Sequence, residues 1–131
     1  MPKPINILLV DDSATMRAMI KRAVHSSGVD VASLFEAANG RDALAVLETQ
    51  SIDAVFTDLN MPIMSGTELL SEMAARNWSH ILRVIVSTDG SAARQDAVRD
   101  LGVTLYVEKP FTPEVIRDVL CKLSADAPTC A

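Results

Sequence analysis

Three aspartates, a lysine and a serine stand at the ends of short apolar runs in this sequence. Asp11 and Asp12 follow the first run, Asp58 closes the third, Ser87 the fourth and Lys109 the fifth. Singly, an aspartate in such a place most often caps a helix, and a lysine is a solvated strand end. Together, clustered carboxylates repel one another unless a cation offsets their charge. The set therefore predicts a cation-binding site.

This set of side chains is suited to phosphoryl transfer. Carboxylate oxygens are ligands for Mg²⁺, or for Mn²⁺ in its place, whereas most transition metals prefer histidine or cysteine, and neither is near these aspartates. A carboxylate can itself be the nucleophile and form an aspartyl-phosphate, while a lysine and a metal ion offset the transferred charge. The motifs GxxxxGK[ST] and GxGxxG do not occur, so a nucleotide is not expected to be the donor.

Five apolar segments predict β-strands. The first is continuous rather than alternating, as in a strand that is covered on both faces. Pro110 ends the fifth strand, since proline has no backbone N–H to donate to a neighbouring strand. The predicted strands are Ile5–Val10, Val31–Glu36, the segment SIDAVFTDL, Val84–Ser87 and the segment TLYVEKP.

Helical patterns follow each strand. Capping residues predict where these helices begin, and glycines predict where they end. NMPIMSG is predicted to be a loop broken by Pro62 and Gly66. The predicted helices run from Ser13 to Gly28, from Asn39-Gly40 through Leu47, from Ser65 or Thr67 through Met73, over Ala92–Leu101, and from Thr112-Pro113-Glu114 to about Leu123.

Alternating strands and helices predict an α/β fold with five (βα) units, a doubly wound parallel sheet covered by helices on both faces. We expect one domain over residues 1–124, with residues 125–131 as a tail. Ligands of such sheets bind beyond the carboxyl ends of the strands. The aspartates, the serine and the lysine all fall on that edge.

Composition excludes several classes of protein. The 131 residues are 49% hydrophobic and 22% charged, which argues against disorder. A net charge of −5 without a basic cluster argues against nucleic-acid binding. No apolar run is long enough to span a membrane, so a cytoplasmic protein is expected. Cys121 and Cys130 are expected to be reduced thiols.

The segments LLVDDSATMR, DAVFTDLNMPIMSG, VIVST and YVEKPF resemble the receiver domain of two-component response regulators, in particular CheY-like single-domain receivers. The resemblance covers about residues 4 to 124. It implies a flavodoxin-like fold with strand order 2-1-3-4-5. It also implies that Asp58 is the phospho-acceptor, with Mg²⁺ held by Asp12 directly, by Asp11 mostly through water, by Asp58, and by the main-chain carbonyl of Asn60.

The resemblance assigns further roles. Lys109 contacts the phosphoryl group, and Pro110 is the cis-prolyl position after it. Ser87 is the switch hydroxyl, and Tyr106 is the aromatic side chain that swings inward when Ser87 moves. Gly66 lets the acceptor loop turn.

Two positions depart from the family pattern. Thr88 stands where alanine or glycine is usual, and its side chain is expected to narrow access to Asp58. Asp89 occupies a variable position that, together with Asn60, influences the lifetime of the phosphorylated state.

A stand-alone receiver that catalyses its own phosphorylation and dephosphorylation is the leading hypothesis. A histidine kinase or phosphotransfer protein would donate the phosphoryl group and meet the first helix, where Met16, Met19, Arg17, Lys21 and Arg22 are presented. A target protein, either a flagellar motor component or the next relay protein, would bind the face formed by the fourth helix, fifth strand and fifth helix. A monomer is expected.

Two other functions remain as alternatives. One is a non-phosphorylated scaffold, and the complete acid cluster argues against it. The other is a small-molecule phosphatase of the haloacid-dehalogenase type. That class needs a second aspartate two residues after the nucleophile, where this chain has Asn60.

Overall fold

The computed structural model describes residues 5–28, 31–76, 78, 80–88, 93, 95–96, 101–103, 105–109 and 111–123. Its strands are β1 (Ile5–Val10), β2 (Val31–Ala37), β3 (Ala54–Thr57), β4 (Leu82–Ser87) and β5 (Leu105–Glu108). Its helices are α1 (Ala14–Ser26), α2 (Gly40–Thr49), α3 (Gly66–Ala75) and α4 (Pro113–Leu123). Several predicted features lie outside the described residues: most of the helix over Ala92–Leu101, the tail 125–131, Asp89, Pro110 and Cys130.

The five strands form one sheet in the order β2-β1-β3-β4-β5, and every neighbouring pair is parallel. The predicted α/β class and the strand order 2-1-3-4-5 are therefore confirmed. Parallel pairing requires a crossover between strands, and α1, α2 and α3 supply three of these crossovers. All carboxyl ends consequently lie at one edge of the sheet.

Side-chain alternation along the strands divides the core into two layers. In β1, Ile7 and Leu9 face the layer that α1 and α4 cover, whereas Leu8 and Val10 face the layer under α2 and α3. All four are fully or almost fully buried. A strand with apolar residues on both faces belongs in the interior of a covered sheet, which agrees with the position of β1 between β2 and β3.

Capping side chains begin three of the helices. Ser13 accepts from the backbone N–H of Met16 at 3.2 Å, and Asn39 accepts from that of Asp42 at 2.9 Å. Ser65 and Glu68 form a reciprocal capping box at the start of α3. These contacts fix where each helix begins and, with it, where each preceding loop ends.

Some predicted boundaries differ from the structure. Ser65 rather than Thr67 caps α3, and Gly66, predicted as a loop breaker, is the first helical residue. Strand β4 begins at Leu82, two residues before the predicted start at Val84, because Arg83 is buried within the strand despite its charge.

The remaining features concern the redox state of Cys121 and the ability of the helices to span a membrane. Cys121 is disulfide-bonded, so the prediction of a reduced thiol at this position is wrong. None of the helices in the described part of the chain has the length and apolar character needed to cross a bilayer.

Candidate functional site

Backbone hydrogen bonds hold the candidate residues just beyond the strand ends. The sheet ladder continues one residue past β1, β3 and β5, so that the residue following each strand is tied to its neighbour. The three bonds are Asp11 N–H to Ala37 O at 3.0 Å, Asp58 N–H to Val10 O at 3.0 Å and Lys109 N–H to Ser87 O at 2.8 Å.

Three aspartates gather at this edge. Asp11 is buried with 3% of its surface exposed, Asp58 is partly buried and Asp12 is exposed. One carboxylate oxygen from each lies within 4.8 Å of the others. The three oxygens are close enough to share one hard cation of the kind that carboxylates bind.

The ammonium group of Lys109 joins two of these aspartates. Its Nζ donates to Asp11 Oδ2 at 2.9 Å and to Asp58 Oδ2 at 3.1 Å. Only 9% of the Lys109 side chain is exposed. A charge this well shielded requires partners, and here the two carboxylates supply them across 98 and 51 positions of sequence.

The surroundings of Lys109 keep it protonated. Burial lowers the pKa of its ammonium group, but the hydrogen bond to Asp11, the charges of Asp58 and Asp11, and the hydrogen bond to Asp58 together outweigh that effect and raise the pKa above its ordinary value. Lys109 is therefore a fixed positive charge at neutral pH, directed at the oxygens of the cluster.

The loop after β3 orients Asp58. Its Oδ1 accepts from the N–H of Leu59 at 2.7 Å, and its carbonyl oxygen accepts from the hydroxyl of Thr57 at 2.8 Å. Gly66 folds back on the same segment and donates its N–H to Leu59 O at 2.9 Å. A Cβ atom on Gly66 would lie 2.0 Å from the Asp58 carbonyl oxygen, so only glycine fits there.

The other predicted site residues differ in their burial. Ser87 is fully buried at the end of β4, while Asn60 is exposed two residues after Asp58. Tyr106 is half-buried in β5 and packs against the core layer under α2 and α3. Thr88 is exposed immediately after Ser87.

Arg17 has a contact that the sequence did not predict. Its Nη1 donates to the main-chain carbonyl of Asp11, and its Nε donates to Glu36 Oε1 at 3.1 Å. The sequence instead suggested a surface charge for a partner protein. No periodic pattern signals a bond from the first turn of α1 back to the carbonyl that precedes it.

A cavity of about 310 Å³ lies between α1 and the start of α4. Met19, which is 46% exposed, lies at its wall. The lining residues are Met19, Arg22, Ala23, Ser26, Phe111 and Pro113.

Known proteins are similar to this chain in sequence. The family model described as "Response regulator receiver domain" matches residues 7–121. The chemotaxis protein CheY homolog of Campylobacter jejuni is 35% identical over 118 residues, which cover 88% of this chain and 89% of that protein. The chemotaxis protein CheY1 of Helicobacter pylori strain J99 is also 35% identical over 118 residues, covering 88% of this chain and 94% of its own.

Solved structures agree with the fold. The chemotaxis response regulator CheY4 of Vibrio cholerae superposes with a TM-score of 0.81 at 27% identity, covering 92% of this chain and 99% of its own. The receiver domain of a putative LuxO repressor protein from Vibrio parahaemolyticus gives a TM-score of 0.84 at 23% identity, covering 94% and 92% of the two chains.

Proposed function

Because the chain belongs to the response regulator receiver family, we propose that it is a stand-alone receiver that accepts a phosphoryl group on Asp58. The observation that carries this proposal is the pair of bonds from Lys109 Nζ to Asp11 and Asp58, beside a third carboxylate on Asp12. The match to the CheY relatives covers 89% and 94% of their lengths, which supports a receiver of the CheY type.

The acceptor chemistry follows from these contacts. A carboxylate oxygen of Asp58 forms a bond to phosphorus as the P–N bond of a phosphohistidine breaks, and the electron pair of that bond leaves with the imidazole nitrogen. Lys109 offsets the charge that the phosphoryl oxygens bring to the pocket. The Leu59 N–H, 2.7 Å from Asp58 Oδ1, fixes the orientation of the attacking group.

The donor set fits a hard divalent cation, since all three clustered ligand atoms are carboxylate oxygens. Receiver domains generally bind Mg²⁺ at an acidic pocket. In this chain Asp11, Asp12, Asp58 and the main-chain carbonyl of Asn60 would hold Mg²⁺ or Mn²⁺. When bound, the cation supplies positive charge that offsets the charge of the transferred group.

Phosphorylation would act on the output surface through charge. A phosphoryl group adds about −1.5 to −2 charge and new acceptor oxygens. The buried hydroxyl of Ser87 is the proposed donor to one of these oxygens, and half-buried Tyr106 would move into the space that Ser87 leaves. The target protein would bind the face that includes β5 and α4, together with the helix predicted over Ala92–Leu101, most of which lies outside the described residues.

The donor protein would approach from α1. Receivers interact with histidine kinases and with downstream targets, and we propose a kinase or a histidine phosphotransfer protein as the donor here. The cavity between α1 and α4, with Met19 at its wall, provides an apolar surface on that side. We further propose that the receiver is a cytoplasmic monomer, with its domain over residues 1–124.

Acetyl phosphate with Mg²⁺ tests the proposed acceptor. Intact-protein mass spectrometry should show the gain of one phosphoryl group, and Asp58→Asn should abolish it. Asp118→Asn is the matched control, because Asp118 is an exposed aspartate on α4 that is not a member of the acid cluster. Absence of a gain in the wild-type protein would instead support a scaffold role.

A second experiment separates a terminal regulator from a relay intermediate or phosphoryl sink. The phosphorylated protein is mixed with a histidine phosphotransfer protein. Rapid return of the phosphoryl group to histidine indicates a relay or a sink. Retention of the group, together with phosphorylation-dependent capture of a target, indicates a terminal regulator.

A further inference from the structure

Arg17 connects the turn between β1 and α1 to the edge strand β2. Its guanidinium lies between the main-chain carbonyl of Asp11, which accepts from Nη1, and the carboxylate of Glu36 on β2, which accepts from Nε at 3.1 Å. Only 17% of the Arg17 side chain is exposed. Arg17 is thus a shielded cation with two fixed partners rather than a solvated surface charge.

Through this contact each polar group of Asp11 has a partner. Its N–H donates to Ala37 O at 3.0 Å, its Oδ1 accepts from the N–H of Ser13 at 2.9 Å, and its Oδ2 accepts from Lys109. The carbonyl is the remaining group, and Arg17 holds it. The Asp11 backbone and side chain are therefore fixed together.

The Asp11 carbonyl matters because of the peptide to which it belongs. That peptide unit is planar and links Asp11 to Asp12. When the direction of the carbonyl is fixed, the position of the Asp12 Cα is fixed as well. The exposed Asp12 side chain extends from this atom toward Asp11 and Asp58. Without Arg17, this carbonyl loses the hydrogen bond that sets its direction, and a change in its direction would move the Asp12 carboxylate.

Glu36 makes the position of Arg17 specific. It accepts from Arg17 Nε and also from Lys21 Nζ, both at 3.1 Å. Lys21 therefore shares the carboxylate with Arg17, but within the described residues its hydrogen bond reaches Glu36 and not the Asp11 carbonyl, and its side chain is 43% exposed. A comparison of Arg17 with Lys21 isolates the contact to the Asp11 carbonyl.

We propose that Arg17 is a positioning residue for divalent-cation binding. It holds the Asp11–Asp12 peptide in the orientation that brings the Asp12 carboxylate to its neighbours before the ion arrives. The pocket then binds the ion with little reordering of its ligands. This inference rests on the proposed function, because it presupposes that the acid cluster binds Mg²⁺.

Calorimetric Mg²⁺ titration of the full chain tests the proposal. Arg17→Ala should raise the Mg²⁺ Kd about tenfold, the size of effect that residues supporting metal ligands commonly have. Arg17→Lys should recover part of the loss, because an ammonium group retains the charge and a donor. Lys21→Ala should leave the Kd at the wild-type value.

Kinetics distinguish positioning from general structural damage. With acetyl phosphate as donor, the phosphorylation rate of Arg17→Ala should approach the wild-type rate once Mg²⁺ is saturating, because the nucleophile and Lys109 are unchanged. Denaturant unfolding in EDTA provides the stability control. A rate that stays low at saturating Mg²⁺ overturns the proposal.

The remaining outcomes are also decisive. If the wild-type protein binds no Mg²⁺ and gains no phosphoryl group, the proposed function itself fails. If the wild-type protein binds Mg²⁺ and Arg17→Ala has the same Kd as Lys21→Ala, only the role of Arg17 is overturned. Should Arg17→Ala not fold, Glu36→Ala replaces it, and a Kd equal to that of Lys21→Ala rejects the proposal.

Discussion

Lys109 is the residue on which the metal-free acid cluster depends. It is the cation bonded to both Asp11 and Asp58, and the raised pKa of its ammonium group keeps it charged at neutral pH. In the proposed reaction, the same charge would offset that of the transferred phosphoryl group. One side chain thus stabilises the resting fold and prepares the pocket for its reaction.

Replacing Lys109 should destabilise the metal-free protein. We expect Lys109→Met to lower the free energy of unfolding in EDTA by about 2 kcal/mol, less than for a fully buried pair, because Asp58 is only partly buried. Lys21→Met, at a solvated ion pair, should cost less than about 1 kcal/mol. Urea unfolding of both variants measures the difference, and equal losses would contradict this account.

The sequence predicted the members of the acid cluster but not the support of Arg17. Asp11, Asp58 and Lys109 could be found because the carboxyl ends of parallel strands share one edge. The bond from Arg17 to the Asp11 carbonyl depends on the exact path of the turn between β1 and α1. Capping serines and asparagines bond to nearby backbone and can be found from residue type, but a long side chain that reaches back to a main-chain carbonyl has no such signature.

Among the secondary-structure elements, α3 begins at a point where several contacts coincide. Gly66 opens the helix while packing directly on the carbonyl of Asp58, and Ser65 and Glu68 cap the same turn. Periodicity left the choice between Ser65 and Thr67 open. The capping box decides it, because Glu68 lies three residues after Ser65.

Gly66→Ala should damage both the fold and the acceptor. The added Cβ would meet the Asp58 carbonyl oxygen at 2.0 Å and the Leu59 Cα at 2.9 Å, and these backbone atoms cannot move aside without shifting the loop. We expect a loss of at least about 2 kcal/mol in unfolding free energy and slower uptake of the phosphoryl group from acetyl phosphate.

Gly28→Ala is the control for this substitution. Its Cβ would meet nothing within 4 Å, but the backbone φ of +81° is unfavourable for alanine. It should cost about 1 kcal/mol and leave the phosphorylation rate unchanged. A Gly66→Ala protein that is phosphorylated as fast as Gly28→Ala would refute the role assigned to this close contact.

The link between α1 and β2 should depend on pH. Hydrogen bonding to Lys21 is the main cause of a lowered Glu36 pKa, with Arg17 adding to it and burial opposing it. A lowered folded-state pKa contributes stability above the unfolded value of about 4.3, and this contribution disappears as the pH falls through the folded-state value.

Glu36→Gln should therefore be less stable than the wild-type protein at pH 7, by at most about 1 kcal/mol because the pair is partly solvated. The difference should shrink below about pH 4 and in high salt. Urea unfolding across this pH range measures it. A difference that persists unchanged in acid would show that packing, rather than charge, is responsible.

At the scale of the whole molecule, stability and charge are located on different parts of the sheet. The apolar layers on either face supply the stability, and the loops at the carboxyl edge carry the charges. The alternation of strands and helices was sufficient to predict the α/β class. The strand order came from the resemblance to receivers, because periodicity does not say which strands are neighbours.

Metal binding and folding should be linked in this molecule, since the three carboxylates meet only in the folded chain. At a Mg²⁺ concentration 100 times its Kd, the free energy of unfolding should rise by about 2.7 kcal/mol over that in EDTA. NaCl at matched ionic strength should not reproduce the gain, and Asp118→Asn should retain it. Urea titrations under the three conditions measure it.

Asp12→Ala should raise the stability of the metal-free protein and remove most of the gain from Mg²⁺. The substitution removes a negative charge facing Asp11 and Asp58. In EDTA the variant should therefore be more stable than the wild-type protein, by about 1 kcal/mol because Asp12 itself is exposed. The same change removes a metal ligand, so Mg²⁺ should add little. A variant that is less stable in EDTA, or that gains as much from Mg²⁺ as the wild-type protein, would mean that Asp12 contributes to the fold rather than to cation binding.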